Sequence, residues 1–157
     1  MPINKLKEYL DRNQIRYVTI KHSLAFTAQE IAASAHIKGK SIAKTVILKV
    51  EGKLTMFVLP GSFKIDLEKV KEVLKTSNIR FADEMEFKDK FYDCEIGAFP
   101  PFGNLYDIDI YCEEALLQDD EIAFNACSHT ELFQMKLKEY INLVNPKVLK
   151  FAYPSKL

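Results

Sequence analysis

Apolar and polar residues recur with two different periods along this chain, and the switches between them mark its elements. From Asn4 to Asn13, Leu6, Tyr9 and Leu10 fall at helical spacing with charges between them, which predicts an amphipathic helix. A short strand over Arg16 to Ile20 follows. Thr27-Ala28-Gln29-Glu30 has the form of a capping box and predicts a helix with Ile31, Ala32 and Ala35 on one face. Ser41 to Val50 is rich in β-branched residues, Glu51-Gly52 turns, and Lys53 to Pro60 returns, which predicts a hairpin. Asp66 then caps a helix carrying Leu67, Val70, Val73 and Leu74.

A short strand at Ile79 to Phe81 precedes a second capping pattern, Asp83-x-x-Glu86. The segment from Gly97 to Gly103 is too dense in proline for regular structure, whereas Ile108, Ile110 and Cys112 alternate as in a half-buried strand. Glu121 to Ala126 and Leu132 to Leu137 read as strands around a turn at Cys127-Ser128-His129. Leu137, Tyr140, Ile141 and Val144 close the series as a helix stopped near Pro146. Strands in runs with helices inserted between some of them predict an α+β fold: a single domain over residues 1–157, with a curled, mixed but mostly antiparallel sheet surrounded by helices.

Charge narrows the partners. Lys plus Arg and Asp plus Glu number 22 each. A protein that coats duplex nucleic acid is expected to carry a basic excess, so the balance argues against that class and allows one that grips only a nucleic-acid end. No apolar run reaches the length of a membrane span and Met1 to Lys5 lacks a signal-peptide stretch, so a cytoplasmic protein is expected. No heptad or apolar helix face predicts an oligomer, which makes a monomer the default. Cys94, Cys112 and Cys127 are odd in number, widely spaced and without a C-x-x-C pair. They predict reduced thiols rather than a disulfide framework or a zinc site. Neither a metal nor a cofactor is expected.

Within the strand Ser41 to Val50, one face holds Ile42, Lys44, Val46, Leu48 and Val50, all apolar except Lys44. A buried ammonium is costly, so Lys44 either reaches solvent or a structural carboxylate, or points into a cleft that receives an anion. Gly97-Ala98-Phe99-Pro100-Pro101-Phe102-Gly103 makes a stiff loop with flexible ends. It either seats Phe99 and Phe102 in the core or presents the N–H groups of Gly97 and Ala98 as a carbonyl-binding site. His129, on a turn between strands, is the histidine best placed to reach a pocket; His22 and His36 are weaker candidates. Lys38, Lys40 and Lys44 form a small basic cluster. A cysteine nucleophile paired with histidine has no local motif behind it.

The order Lys21-His22-Ser23, Thr27-Ala28-Gln29-Glu30, Ala43-Lys44-Thr45-Val46, Gly97-x-x-x-Pro101-Phe102-Gly103 and Ser128-His129 resembles the YbaK/ProX family of editing domains, from about Tyr17 to Val144. These domains stand alone or are inserted in bacterial prolyl-tRNA synthetase. The resemblance implies a trans-editing deacylase that hydrolyses the ester of a small mischarged amino acid at the 3′ end of aminoacyl-tRNA, with an aminoacyl-tRNA synthetase as a further partner. It implies that Lys44 holds the terminal phosphate or ribose, and that Gly97 and Ala98 N–H groups stabilise the carbonyl. Thr45, Phe99, Pro101, His129 and His22 would bind substrate. Two positions depart from the pattern: Thr45 stands where some relatives that clear alanine carry Asn, and Cys127 where Gly precedes Ser-His. The alternative is a non-catalytic module of the same fold that binds aminoacyl-tRNA or a free amino acid.

Overall fold

The structure is a computed structural model, and it describes residues 4–22 and 42–155. The predicted capping box at Thr27, its helix, His36, and Lys38 and Lys40 of the basic cluster lie outside the described residues. The central hairpin joins β2 (Ala43–Val50) and β3 (Lys53–Pro60), preceded in the chain by helix α1 (Asn4–Arg12) and strand β1 (Tyr17–Lys21). Its turn places Glu51 at φ 50° and Gly52 at φ 81°. Two successive positive φ values twist a two-residue turn in the sense of the strands it joins, and glycine takes the second without cost.

β4 (Phe63–Ile65) leads to helix α2 (Leu67–Leu74), where Asp66 accepts from the N–H groups of Glu68 and Lys69 as its cap. β5 (Ile79–Phe81) and the one-turn helix α3 (Glu84–Phe87) follow, the latter fixed by a capping box between Asp83 and Glu86. Glu86 also receives both guanidinium nitrogens of Arg80, at 2.7 and 2.9 Å, and these bonds hold its carboxyl well below the usual range. β6 (Asp109–Glu113), β7 (Glu121–Ser128), β8 (Glu131–Lys136), helix α4 (Leu137–Val144), β9 (Lys147–Leu149) and β10 (Ala152–Pro154) complete the described elements.

The strands form a five-stranded sheet of order β5-β2-β3-β6-β9, a three-stranded sheet β1-β8-β7 and a pair β10-β4. β3, β6 and β9 run parallel to one another and the other pairings are antiparallel. An isolated parallel bridge from Ile42 to Ala123 stitches the start of β2 to β7, so the two larger sheets curl together at that corner. The mixed, mostly antiparallel α+β architecture is therefore the one expected. One face of the five-stranded sheet packs Ala43, Ile47, Met56 and Val58 against Phe124, Phe133 and Met135 of the second sheet and Leu6 and Leu10 of α1. The other face packs Leu48, Phe57 and Leu59 against Val70 of α2 and Phe151.

The sequence pattern differs from the structure at two element ends and in three short strands. The strand expected to end at Ala126 runs on to Ser128 through a bulge, and Leu137 opens α4 rather than ending β8. β4, β9 and β10 were not predicted, because three residues are too few to show a period of two.

Candidate functional site

The Gly97–Pro101 loop is held by its side chains and carbonyls. Phe99 is 7% exposed and stacks on Phe91 with ring centroids 4.2 Å apart. Phe102 is fully buried edge-on to Tyr140 and Phe124. The Tyr140 hydroxyl donates to Pro101 O at 2.6 Å, and Thr45 Oγ1 donates to Phe99 O at 3.1 Å. Gly103 closes the loop against β6: a Cβ there would lie 2.7 Å from Ile108 O. The side chains of Phe99 and Pro101 are thus both buried. Two adjacent prolines and an aromatic on each side make this the outcome that burial favours.

The two amides differ in their partners. Ala98 is fully buried and its N–H donates to Glu95 O at 3.0 Å, so it is not available to a carbonyl in this conformation. Gly97 is exposed, sits at φ 85°, and its N–H has no partner among the described residues. Of the two expected donors, Gly97 is the one that faces solvent.

His129 lies directly against Gly97. A Cβ on Gly97 would meet His129 Cε1 at 3.4 Å. The His129 backbone N–H donates to Glu95 Oε1 at 2.7 Å, and Nε2 lies 2.6 Å from Ile96 O. A carbonyl only accepts, so Nε2 carries the proton, and Nδ1 is the ring atom left to accept from a ligand. The His22 N–H donates to Thr130 O at 2.8 Å, which extends the β1–β8 ladder by one residue and sets the His22 backbone beside this turn. Gly97 and His129 therefore meet, with the His22 backbone beside the turn at Thr130 and Thr45 tied to the loop through Phe99 O.

Lys44 does not join them by direct contact. Val46, Leu48 and Val50 share its parity on β2 and pack on the α2 side of the sheet, whereas Thr45 faces the Gly97 loop. Lys44 is half-buried and forms no ion pair among the described residues. Burial lowers its pKa, and the nearby charge of Lys64 lowers it further. It sits two residues past Ile42, at the corner where the two sheets meet.

The thiol reading is corrected. Cys94 and Cys127 are joined as a disulfide, leaving Cys112 as the free, buried thiol. Sequence spacing carries no record of this pair, because the contact is made by the bulge in β7. There Cys127 takes φ 65°, and its carbonyl accepts from Glu95 N–H at 3.0 Å. That φ explains why glycine suits the position before Ser-His. Glu95, Cys94 and Tyr106 were not anticipated; the departure from glycine at Cys127 was the one legible signal near them. Asp93, Cys94 and Cys127 place donor atoms within 4.8 Å of one another. Sulfurs bonded to each other offer no thiolate, so we assign no metal to them. The Tyr106 hydroxyl donates to both oxygens of Asp93, and burial followed by that carboxylate pushes its pKa far up. A separate depression lined by Asn104, Asp107, Tyr111, Asn145 and Lys147 contains none of the expected residues.

A family model described as the aminoacyl-tRNA editing domain matches residues 22–143. Proline–tRNA ligases of Bacillus mycoides (strain KBAB4) and Bacillus cereus (strain AH187) are each 29% identical to the chain over 100 residues, which is 64% of this chain and 17% of theirs. The chain thus matches only about a sixth of the length of those curated relatives. A solved structure described as a candidate trans-editing enzyme for prolyl tRNA synthetase superposes with TM-score 0.83 at 22% identity, covering 97% of both chains. A second, from work on grafting linear epitopes onto scaffold proteins, gives TM-score 0.80 at 20% identity over 99% of this chain and 98% of its own.

Proposed function

Because this chain belongs to the aminoacyl-tRNA editing domain family, we propose that it acts in trans as a deacylase, hydrolysing the ester between a small mischarged amino acid and the tRNA 3′ end. Family membership supplies the editing role. The observation that carries the step from role to chemistry is the meeting of Gly97 and His129, a backbone donor without a partner among the described residues beside an imidazole whose Nδ1 has none among them either. An aminoacyl ester is already activated, so a water, oriented by the adjacent ribose hydroxyl, suffices as nucleophile. Gly97 N–H donates to the carbonyl oxygen as negative charge builds there, and His129 Nδ1 accepts from the substrate amine or the attacking water. The acid leaves, and the ribose oxygen regains a proton.

Lys44, a desolvated cation at the sheet corner, takes the terminal phosphate, for which an otherwise apolar face has no rival partner. Thr45 positions the loop by its bond to Phe99 O. The balanced net charge fits a grip on one terminus rather than along a duplex. The chain acts as a cytoplasmic monomer, with a synthetase as the source of its substrate. Among the described residues no helix is long and apolar enough to cross a membrane.

The test is incubation of the purified chain with a panel of mischarged tRNAs. At least one ester is expected to be cleared above its spontaneous rate, and loss of one amide donor costs about 100- to 1000-fold in such sites. Retention of every ester with tight binding of the tRNA end would replace this reading by the non-catalytic one.

A further inference from the structure

Besides the Ile96 O to His129 Nε2 contact, three links fasten the segment before Gly97 to the turn that carries His129, and one is covalent. Glu95 N–H donates to Cys127 O, the His129 backbone N–H donates to Glu95 Oε1, and Cys94 is bonded to Cys127. Cys94 lies three residues before Gly97 and Cys127 two before His129. The disulfide therefore spans the two parts of the proposed site.

We propose that Cys94 and Cys127 are a reversible dithiol–disulfide site, and that the disulfide clamps the Gly97 loop onto His129 and so raises deacylation. The inference rests on the site proposed above. Bonded sulfurs sit about 2 Å apart, whereas two thiols need roughly 3.5–4 Å. Reduction therefore releases the Cys94 segment from the bulge. Once released, the segment holds the Ile96 O to His129 Nε2 contact and the donor at Gly97 less firmly. A site that works by preorganised groups slows when they drift.

Exposure orders the chemistry. Cys94 is half-buried and Cys127 fully buried, so a small hydroperoxide meets Cys94 first. Its thiol is oxidised to a sulfenic acid while the hydroperoxide is reduced to an alcohol, or to water from hydrogen peroxide. The Cys127 thiol then displaces the hydroxyl, forming the S–S bond and releasing water. A small dithiol reverses the step by exchange, ending as its own disulfide and returning both protein thiols. Cys112 takes no part: it is fully buried, and burial pushes its thiol up to about 12. The Tyr106 hydroxyl lies 3.6 Å from Cys94 Sγ and 3.9 Å from Cys127 Sγ. It is a polar neighbour for either sulfur when the bond is open.

The experiment equilibrates the full chain in a series of reduced and oxidised dithiothreitol ratios. On each sample it counts thiols in denaturant, measures deacylation, and records the His129 imidazole resonances. The chain has three cysteines, so reduction should give three thiols and oxidation one. The oxidised form is expected to deacylate about 10-fold faster, since roughly 1 Å of misplacement costs up to 100-fold. Its thermal midpoint should rise by roughly 5–10 °C. Cys94→Ser should retain activity at the reduced level and lose all dependence on the ratio. Three thiols at every ratio, or a disulfide that changes neither rate nor resonances, overturns the proposal. A chain that deacylates nothing in either state removes the proposed activity, and the His129 resonances then decide the clamp alone: it stands if they move with the thiol count and falls if they do not.

Discussion

Lys44 was legible as an anomaly from strand parity alone, and the structure gives it a physical consequence. Its pKa is lowered first by burial and then by Lys64, so its positive charge is lost at a pH below the ordinary lysine range. If the ammonium holds a phosphate, affinity for the tRNA end is full below that lowered value and falls as pH rises through it. Lys64→Ala removes a neighbouring positive charge and should move the alkaline limb of KM to higher pH, with kcat little changed. A limb that stays in place means Lys44 is not the group that titrates. Gly97 is the second residue with a sharp expectation. An alanine there must hold φ 85° and sit 3.4 Å from the His129 ring. Gly97→Ala should cost about 1–3 kcal/mol of stability in a denaturant melt, and deacylation should fall further than that loss of folded protein accounts for.

At the scale of elements, the loop is a product of its neighbours. Phe99, Phe102 and the Pro101 carbonyl are claimed by the aromatic core and by Tyr140, and this is what leaves Gly97 alone at the surface. Tyr140→Phe leaves the Pro101 carbonyl buried without its donor. It should lower unfolding stability by about 1–3 kcal/mol and slow deacylation by freeing the loop; unchanged stability would show that the hydrogen bond does not anchor it. The central hairpin, α1, α2 and α4 were legible because each carries several residues of one period with a cap or turn at its end. The short strands β4, β9 and β10 were not, since their partners lie far away in sequence. The bulge in β7 was hidden for a similar reason: pairing geometry, not composition, places Cys127 at positive φ and brings Cys94 to it. The turn signal at Cys127-Ser128-His129 therefore located the histidine but not the two bonds that orient it.

Across the whole molecule, curling two sheets around one core sets the start of β2 against β7 at a corner marked by Ile42 and Ala123, and Thr45 ties that strand to the loop that follows Gly97. Sequence parity identified Lys44 and resemblance identified Gly97, but only the fold shows that Lys44 and Thr45 face opposite ways at that corner. A substrate that reaches Lys44 and Gly97 together must cross the start of β2, which suits a flexible single-stranded end better than a rigid duplex. The central claim is hydrolysis of an aminoacyl ester at this corner. The direct measurement is the single-turnover rate of ester loss from a mischarged tRNA by the intact chain and by Lys44→Ala, each against the spontaneous rate. The account predicts a wild-type rate well above background and a variant rate near it. Equal rates for the two proteins, or a wild-type rate at background for every mischarged tRNA supplied, would contradict it.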